Sequence, residues 1–338
     1  MTTPAQPSPD LFFDTLTAYQ KTAALKAAID LNLFTALADA PATAAHIAKA
    51  CNAAERGVRI LCDYLTVLGF LQKSGDQYNL TLDSTVFLSR KSPAYAGGVA
   101  DFLLSDHLTS AFKRLTEAVR KGGTAESQQG STAPEHPMWM TFAQSMGSLM
   151  AQAAAGLAEL QPLDPNRPTK VLDISASHGV WGIAFAKRNP KAHLVALDWA
   201  PVLQITTQSA HAADLANRFS TIAGSAFDVD LGTDYDVVLV PNFLHHFNPA
   251  DCIRFLKRCH AALRPGGRVA IVEFVPNSDR VTPPQAAGFS LVMLATTPEG
   301  DAYTFAEYTA MLAEAGFQKP TAHSLPASVN QAVISVKK

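Results

Sequence analysis

From residue 170 onward, short apolar runs at 170–174, 193–198, 219–223, 235–240 and 268–274 alternate with amphipathic stretches of helical period. Runs of this length without polar alternation read as strands buried on both faces, and the stretches between them are long enough to be crossover helices. Few folds accommodate that order: it predicts a parallel sheet with helices on both faces, a Rossmann-like α/β domain. One crossover helix spans 250–263, closed by Arg264-Pro265-Gly266-Gly267, and a last apolar run, 332–336, adds a further strand. Ligands of open α/β sheets bind outside the carboxyl ends of the strands, so chemistry is sought there.

The first half of the chain has a different pattern. Over 10–37, Leu16, Tyr19, Ala23, Ala27 and Leu31 recur at three- and four-residue steps until Pro41 breaks the helical pattern. Thr43 can cap a short helix through Ala50. A third helix, 53–68, carries the stripe Ile60, Leu61, Tyr64, Leu65 and Leu68 and ends at Gly69. A hairpin follows, 70–73 and 77–80 around Ser74-Gly75-Asp76. Helix, helix, hairpin is the order of a winged helix. The expected domains are 1–103, mainly helical, and 104–338, in which 104–165 is a helical substrate-binding and linker segment. Within that segment a Gly/Ser/Pro-rich stretch, 122–137, reads as a flexible loop, 138–160 as one long helix rich in Met, Ala and aromatics, and 162–168 as a linker.

Composition narrows the partners. Residues 1–100 hold eight Lys/Arg and eight Asp/Glu, and the whole chain carries a formal net charge of -2, so no phosphate-binding footprint supports a DNA-binding regulator. No nucleic acid is expected as partner, nor a membrane, since no apolar run approaches ~18 residues. Cys51, Cys62, Cys252 and Cys259 form no metal-ligand spacing, and no metal is expected. Residues 1–10 lack a basic region followed by an apolar stretch. A cytoplasmic protein with reduced thiols is the expectation.

The first strand of the α/β part ends at Asp173-Ile174 and turns through Ser175-Ala176-Ser177-His178-Gly179 into a helix near Trp181. Small residues there let a ligand approach the backbone, and the helix N-terminus favours a carboxylate. Asp173 at the strand tip suits a cation, so a ligand with both charges, such as an amino-acid moiety, fits better than a phosphate. The second strand ends in Asp198, placed to accept two hydrogen bonds from a ribose diol. The turn lacks GxGxxG, which disfavours an NAD dehydrogenase.

The block VLDISASHGVWGIAFAKRNPKAHLVALD, with GSAF at 224–227, LHHF at 244–247, LRPGGRVAIVE ending at Glu273 and TPEGDAYTFAEYTAMLAEAGF at 297–317, resembles the small-molecule O-methyltransferases of the caffeate, acetylserotonin and bacterial polyketide type. The resemblance covers nearly the whole chain. It implies a seven-stranded methyltransferase sheet with a reversed last strand, S-adenosylmethionine as methyl donor, a small-molecule acceptor, and a homodimer formed through the N-terminal domain. It places Asp173, Ser175, Gly179, Asp198, Trp199, Ser225, Ala226, Phe227 and Asn242 at the donor, with Trp199 and Phe227 about the adenine ring. Two glycines usual in the family's turn are Ser175 and Ser177 here; the close approach is expected to survive if neither φ is positive. Ser225 stands where the family commonly has an Asp.

Methyl transfer to a hydroxyl is chiefly positioning, aided by a base of suitable pKa. By register with the family, His245 is the base and Glu273 the acid that orients it, while His246 replaces the usual acid after the histidine. The family's second flanking Glu is missing from Gly300-Asp301-Ala302-Tyr303-Thr304. Trp139, Phe142, Met146, Met150, Phe289 and Met293 are candidate acceptor contacts, with His246 as a neighbour. A fold relative that binds the cofactor but catalyses decarboxylation, hydroxylation or cyclisation is the nearest alternative.

Overall fold

A computed structural model of the protein describes residues 7–161 and 163–338. The start of the N-terminal segment and the first residue of the 162–168 linker therefore lie outside the described residues. The chain divides into two compact units, Met1–Ala100 and Asp101–Lys338.

In the first unit the periodic stretch 10–37 is three helices, Asp10–Leu16, Ala18–Asp30 and Leu33–Ala36, broken at Thr17 and at Asn32, which turns left-handed with φ 54°. Thr43 caps the helix Ala44–Ala50, its hydroxyl accepting from His46 N–H at 3.4 Å. The helix Glu55–Val67 buries Val58, Cys62 and Leu65, one face at helical spacing. Strands β1 (Ala42–Thr43), β2 (Leu71–Ser74) and β3 (Gln77–Leu80) form a small antiparallel sheet in the order β1-β3-β2. Asp63 ties helix to hairpin, accepting from Tyr78 Oη at 2.7 Å and Lys73 Nζ at 2.6 Å.

The second unit is built on β4 (Thr169–Ile174), β5 (Ala192–Asp198), β6 (Phe219–Ala223), β7 (Tyr235–Pro241), β8 (Leu263–Glu273), β9 (Phe317–Ser324) and β10 (Gln331–Lys337). Their order is β6-β5-β4-β7-β8-β10-β9. The first five pair in parallel, and β10 runs antiparallel to β8 and β9. All seven residues of β7 are buried, the two-sided burial that its apolar run implied. The sheet reverses direction of build at β4, placing a crevice above the tips of β4, β5 and β7.

Three local expectations are corrected. The stretch 138–160 is two helices, Met138–Ser145 and Gly147–Leu160, parted at Met146. Gly147 lies so close to His178 that a Cβ there would stand 3.2 Å from the histidine's own, so the chain bends where its smallest residue permits. Arg264-Pro265-Gly266-Gly267 lies within β8, as an irregularity where pairing jumps from Tyr235–Leu263 to Val237–Arg268. The loop 122–137 is pinned: Thr124 N–H donates to Thr297 O at 2.8 Å, Trp139 Nε1–H donates to Ser131 O at 3.2 Å, and Gly130 sits against Thr296 O.

Candidate active site

A cavity of about 820 Å³ opens above the carboxyl ends of β4, β5, β7 and β8, near the upper end of the ~300–1,000 Å³ usual for small-molecule sites. All its walls belong to the second unit. At the tip of β4, Asp173 is fully buried; its Oδ2 accepts from Gly182 N–H at 2.8 Å and its Oδ1 has no partner. Burial, reinforced by Asp198, holds its carboxyl well above the usual carboxylate range.

The turn after it departs from the sequence-based expectation. Ser175 and Ser177 both have positive φ, 51° and 52°, followed by Gly179 at 80°. The backbone keeps the left-handed shape of a glycine turn with serines in it, at a cost of about 1 kcal/mol or more each. Three bonds fix that shape: Ala176 N–H to Leu197 O at 3.0 Å, Ser177 N–H to Asp198 Oδ2 at 2.8 Å, and Thr206 Oγ1 to Ser177 O at 2.5 Å. The condition of non-positive φ is therefore not met: neighbouring strand and helix hold the backbone in the glycine-like shape with both serines in the left-handed region.

Asp198, at the tip of β5, also accepts from Trp199 N–H at 2.7 Å, and burial pushes its carboxyl up to about 6. A carboxylate has about four lone-pair sites, so acceptor capacity remains after these two bonds. Trp199, Ser225, Ala226 and Phe227 line the same side of the cavity. The Ser225 hydroxyl accepts from Phe227 N–H at 3.2 Å, and the Phe227 ring packs against Phe247 at 4.8 Å under the Arg254 guanidinium. Asn242, left-handed at the end of β7, accepts from Asn330 Nδ2 at 2.6 Å.

At the other end, β7 and β8 bring His245 and Glu273 together. Glu273 Oε1 accepts from His245 N–H at 3.2 Å, and Oε2 stands 2.5 Å from His245 Nδ1. Both side chains are buried, and only His245 reaches the cavity wall. His246 Nε2 lies 3.1 Å from His245 Nε2. Burial, with His245 beside it, holds His246 well below the usual imidazole range. Phe289 approaches His245 edge-on at 4.8 Å and stacks on Phe274 at 3.7 Å. Trp139 approaches His246 edge-on at 5.1 Å.

The cavity thus gathers every residue expected at the acceptor: Trp139, Phe142, Met146, His246, Phe289, Met293 and also Met150. Of the residues expected at the donor, Ser175, Asp198, Trp199, Ser225, Ala226, Phe227 and Asn242 line it, whereas Asp173 and Gly179 stand behind the wall. Sequence reasoning missed Phe274, which simply follows Glu273, and Phe102 and Leu108 from the helices before the loop. It also missed His178, buried and depressed to about 4 by burial, whose ring stacks on Phe142 and whose Nε2 meets Met150 Sδ at 3.2 Å. The wall at 327–330, between β9 and β10, has no local sequence signal; only the sheet reversal brings it here. Among the described residues no group of three or more His, Cys, Asp or Glu could hold a metal, and no helix is long and apolar enough to cross a membrane.

Comparison with known proteins identifies the family. Residues 107–318 match the model of the O-methyltransferase domain, and residues 13–90 that of the O-methyltransferase dimerisation domain. The chain belongs to the O-methyltransferase family and is an S-adenosylmethionine-dependent enzyme of that family. It is 30% identical to the tetracenomycin polyketide synthesis 8-O-methyl transferase of Streptomyces glaucescens, covering 89% of this chain and 88% of that one. It is 29% identical to the 3-hydroxy-5-methyl-1-naphthoate 3-O-methyltransferase of Streptomyces sahachiroi, over 97% of both chains. A crystal structure from Nostoc punctiforme, assigned as an O-methyltransferase, is 51% identical with a TM-score of 0.95, covering 98% of this chain and 100% of that one.

Proposed function

We propose that the protein methylates a hydroxyl group on an uncharged, flat, apolar acceptor, with His245 as general base. The observation that carries this is His245, at the cavity wall with Glu273 behind it, beside the apolar side chains of Trp139, Phe142, Met146, Phe289 and Met293. Among the described residues no Lys or Arg lines that cavity, so a free carboxylate on the acceptor would have no cationic partner there. Aromatic and thioether side chains suit a fused-ring phenol; the naphthoate named for one relative shares the fused ring and the hydroxyl but also carries a carboxylate, for which this cavity has no cationic partner.

The residues fit the donor. Asp173 Oδ1 is a buried acceptor without a partner, suited to an ammonium, and Asp198 retains acceptor capacity for a ribose diol. Bound S-adenosylmethionine supplies an electrophilic methyl group on a sulfonium. The rest falls to the protein. Glu273, accepting from His245 Nδ1–H, leaves the lone pair of that ring on Nε2. The contact with His246 then requires His246 Nε2–H to donate, so His246 occupies the base's lone pair until an acceptor hydroxyl takes its place. The aromatic walls keep water out and hold the acceptor flat for in-line attack.

Incubation with methyl-labelled S-adenosylmethionine and a panel of uncharged hydroxynaphthalenes and hydroxyquinones tests the proposal. Label in a methyl ether is the expected outcome. Label only on amines, acids or ring carbons, or unlabelled turnover of an acceptor, would contradict it.

We further read the first unit, Asp10 through the β2–β3 hairpin, as a winged helix that forms a homodimer, and the domain boundary as lying near 103. Four free cysteines suit a reducing cytoplasm.

A further inference from the structure

The serines of the donor turn are costly where they stand. Both are left-handed, a conformation in which glycine is free of strain, so their side chains weaken the fold unless they return something. Ser177 is more than nine-tenths buried and lines the cavity, yet its hydroxyl has no hydrogen-bond partner. A buried hydroxyl left unpaired is itself a penalty. The backbone groups of Ser177 are committed elsewhere: its N–H to Asp198, its carbonyl to Thr206. Ser175, half-buried, faces the same cavity. Just behind the turn, Asp173 Oδ1 is another buried polar atom without a partner.

We propose that the hydroxyls of Ser177 and Ser175 are side-chain ligands of the aminocarboxylate end of the methyl donor. A hydroxyl rotates freely about its own bond and donates to a carboxylate, while Asp173 accepts from the ammonium. The turn then holds a zwitterion with side chains. The serines restore through binding what they cost in the free protein. This rests on the turn being the seat of the donor, and the test separates the two claims.

The experiment is titration calorimetry on the full chain with S-adenosylhomocysteine and with 5′-methylthioadenosine, which keeps adenine, ribose and sulfur but lacks the aminocarboxylate. Thermal melts of the free proteins run in parallel. Ser177→Gly should bind S-adenosylhomocysteine about tenfold more weakly, as should Ser175→Gly, with methylthioadenosine affinity unchanged. Both free variants should melt no lower than wild type, and as much as roughly 2–4 °C higher, because glycine relieves the left-handed strain. Unchanged affinity for S-adenosylhomocysteine in both variants overturns the proposal. So does an equal loss for the two ligands, which would put the hydroxyls at the ribose, or a loss accompanied by lower melting in both variants, which would make the side chains structural. If the wild type binds no S-adenosylhomocysteine, the donor seat itself is wrong, a result distinct from wild type and variants binding alike.

Discussion

Asp198 does two things at once: it pins the turn after β4 through Ser177 N–H while also accepting from Trp199 N–H, and it faces the cavity from a buried position. Burial raises its carboxyl from 3.8 to about 6, so the free protein holds that proton more tightly than the unfolded chain does. The sign follows. The stability this proton contributes is full below pH ~4 and lost as pH rises through about 6, whereas a ribose diol prefers the charged carboxylate. Affinity for S-adenosylhomocysteine should therefore fall as pH drops below 6, by up to tenfold per unit, measured by calorimetry between pH 5 and 8. Asp198→Asn should bind at least tenfold more weakly at pH 8 and show a flatter profile; a wild-type affinity independent of pH would contradict the assignment. At the other end of the cavity, His245→Ala should lower single-turnover methyl transfer by ~10²–10⁴ and leave donor affinity nearly intact. His246→Ala should cost less, since in the proposed mechanism His246 only occupies the lone pair that the acceptor takes over. A larger loss in His246→Ala would mean that the wrong histidine has been named.

At the scale of elements, the helix Val180–Arg188 shows how closely the proposed donor site depends on packing. Gly182 gives its N–H to Asp173, and a Cβ there would meet Leu194 Cδ1 at 2.4 Å and Asp173 Oδ2 at 2.8 Å. Gly182→Ala should push this helix off β4 and β5, costing about 1–3 kcal/mol by denaturant melts and weakening donor binding with it. A fully stable, fully binding variant would show that the helix has room to spare. The strands and the β4 turn were legible in the sequence because apolar runs and small-residue turns are local signals, whereas the pairing of His245 with Glu273 was legible only through register with the family's motifs at two strand tips. The break at Met146 was not, because it comes from Gly147 meeting His178, a contact between residues 31 positions apart in the chain. Nor was the wall at 327–330, which reaches the cavity through the antiparallel placement of β10 beside β8. The positive φ of Ser175 and Ser177 ran against residue preference, since bonds from β5 and the following helix decide it.

For the whole molecule, the open question is what covers the first helix. Asp10–Leu16 has seven residues, none buried, and Leu11 is 80% exposed, Phe12 63% and Leu16 60%. Tyr19 on the next helix continues the apolar face at 69%, a stronger surface than the stripe from Ile60 to Leu68, of which Ile60 is 43% exposed. A seven-residue helix cannot hold itself in water, and each of these side chains would gain roughly 1.5–3 kcal/mol on burial. They lie within or beside the segment that matches the O-methyltransferase dimerisation domain, 13–90, so a second copy of the chain is the occupant that fits. Light scattering at micromolar concentration should report twice the 36.0 kDa chain, with an interface above ~2,000 Å². Phe12→Glu with Leu16→Glu should give a monomer. Because every wall of the cavity lies in Asp101–Lys338, that monomer should still bind S-adenosylhomocysteine with near-wild-type affinity. A wild-type monomer would refute the dimer. A dimer that survives the double substitution would move its interface away from the first helix, and loss of donor binding in the monomer would mean that assembly shapes the cavity.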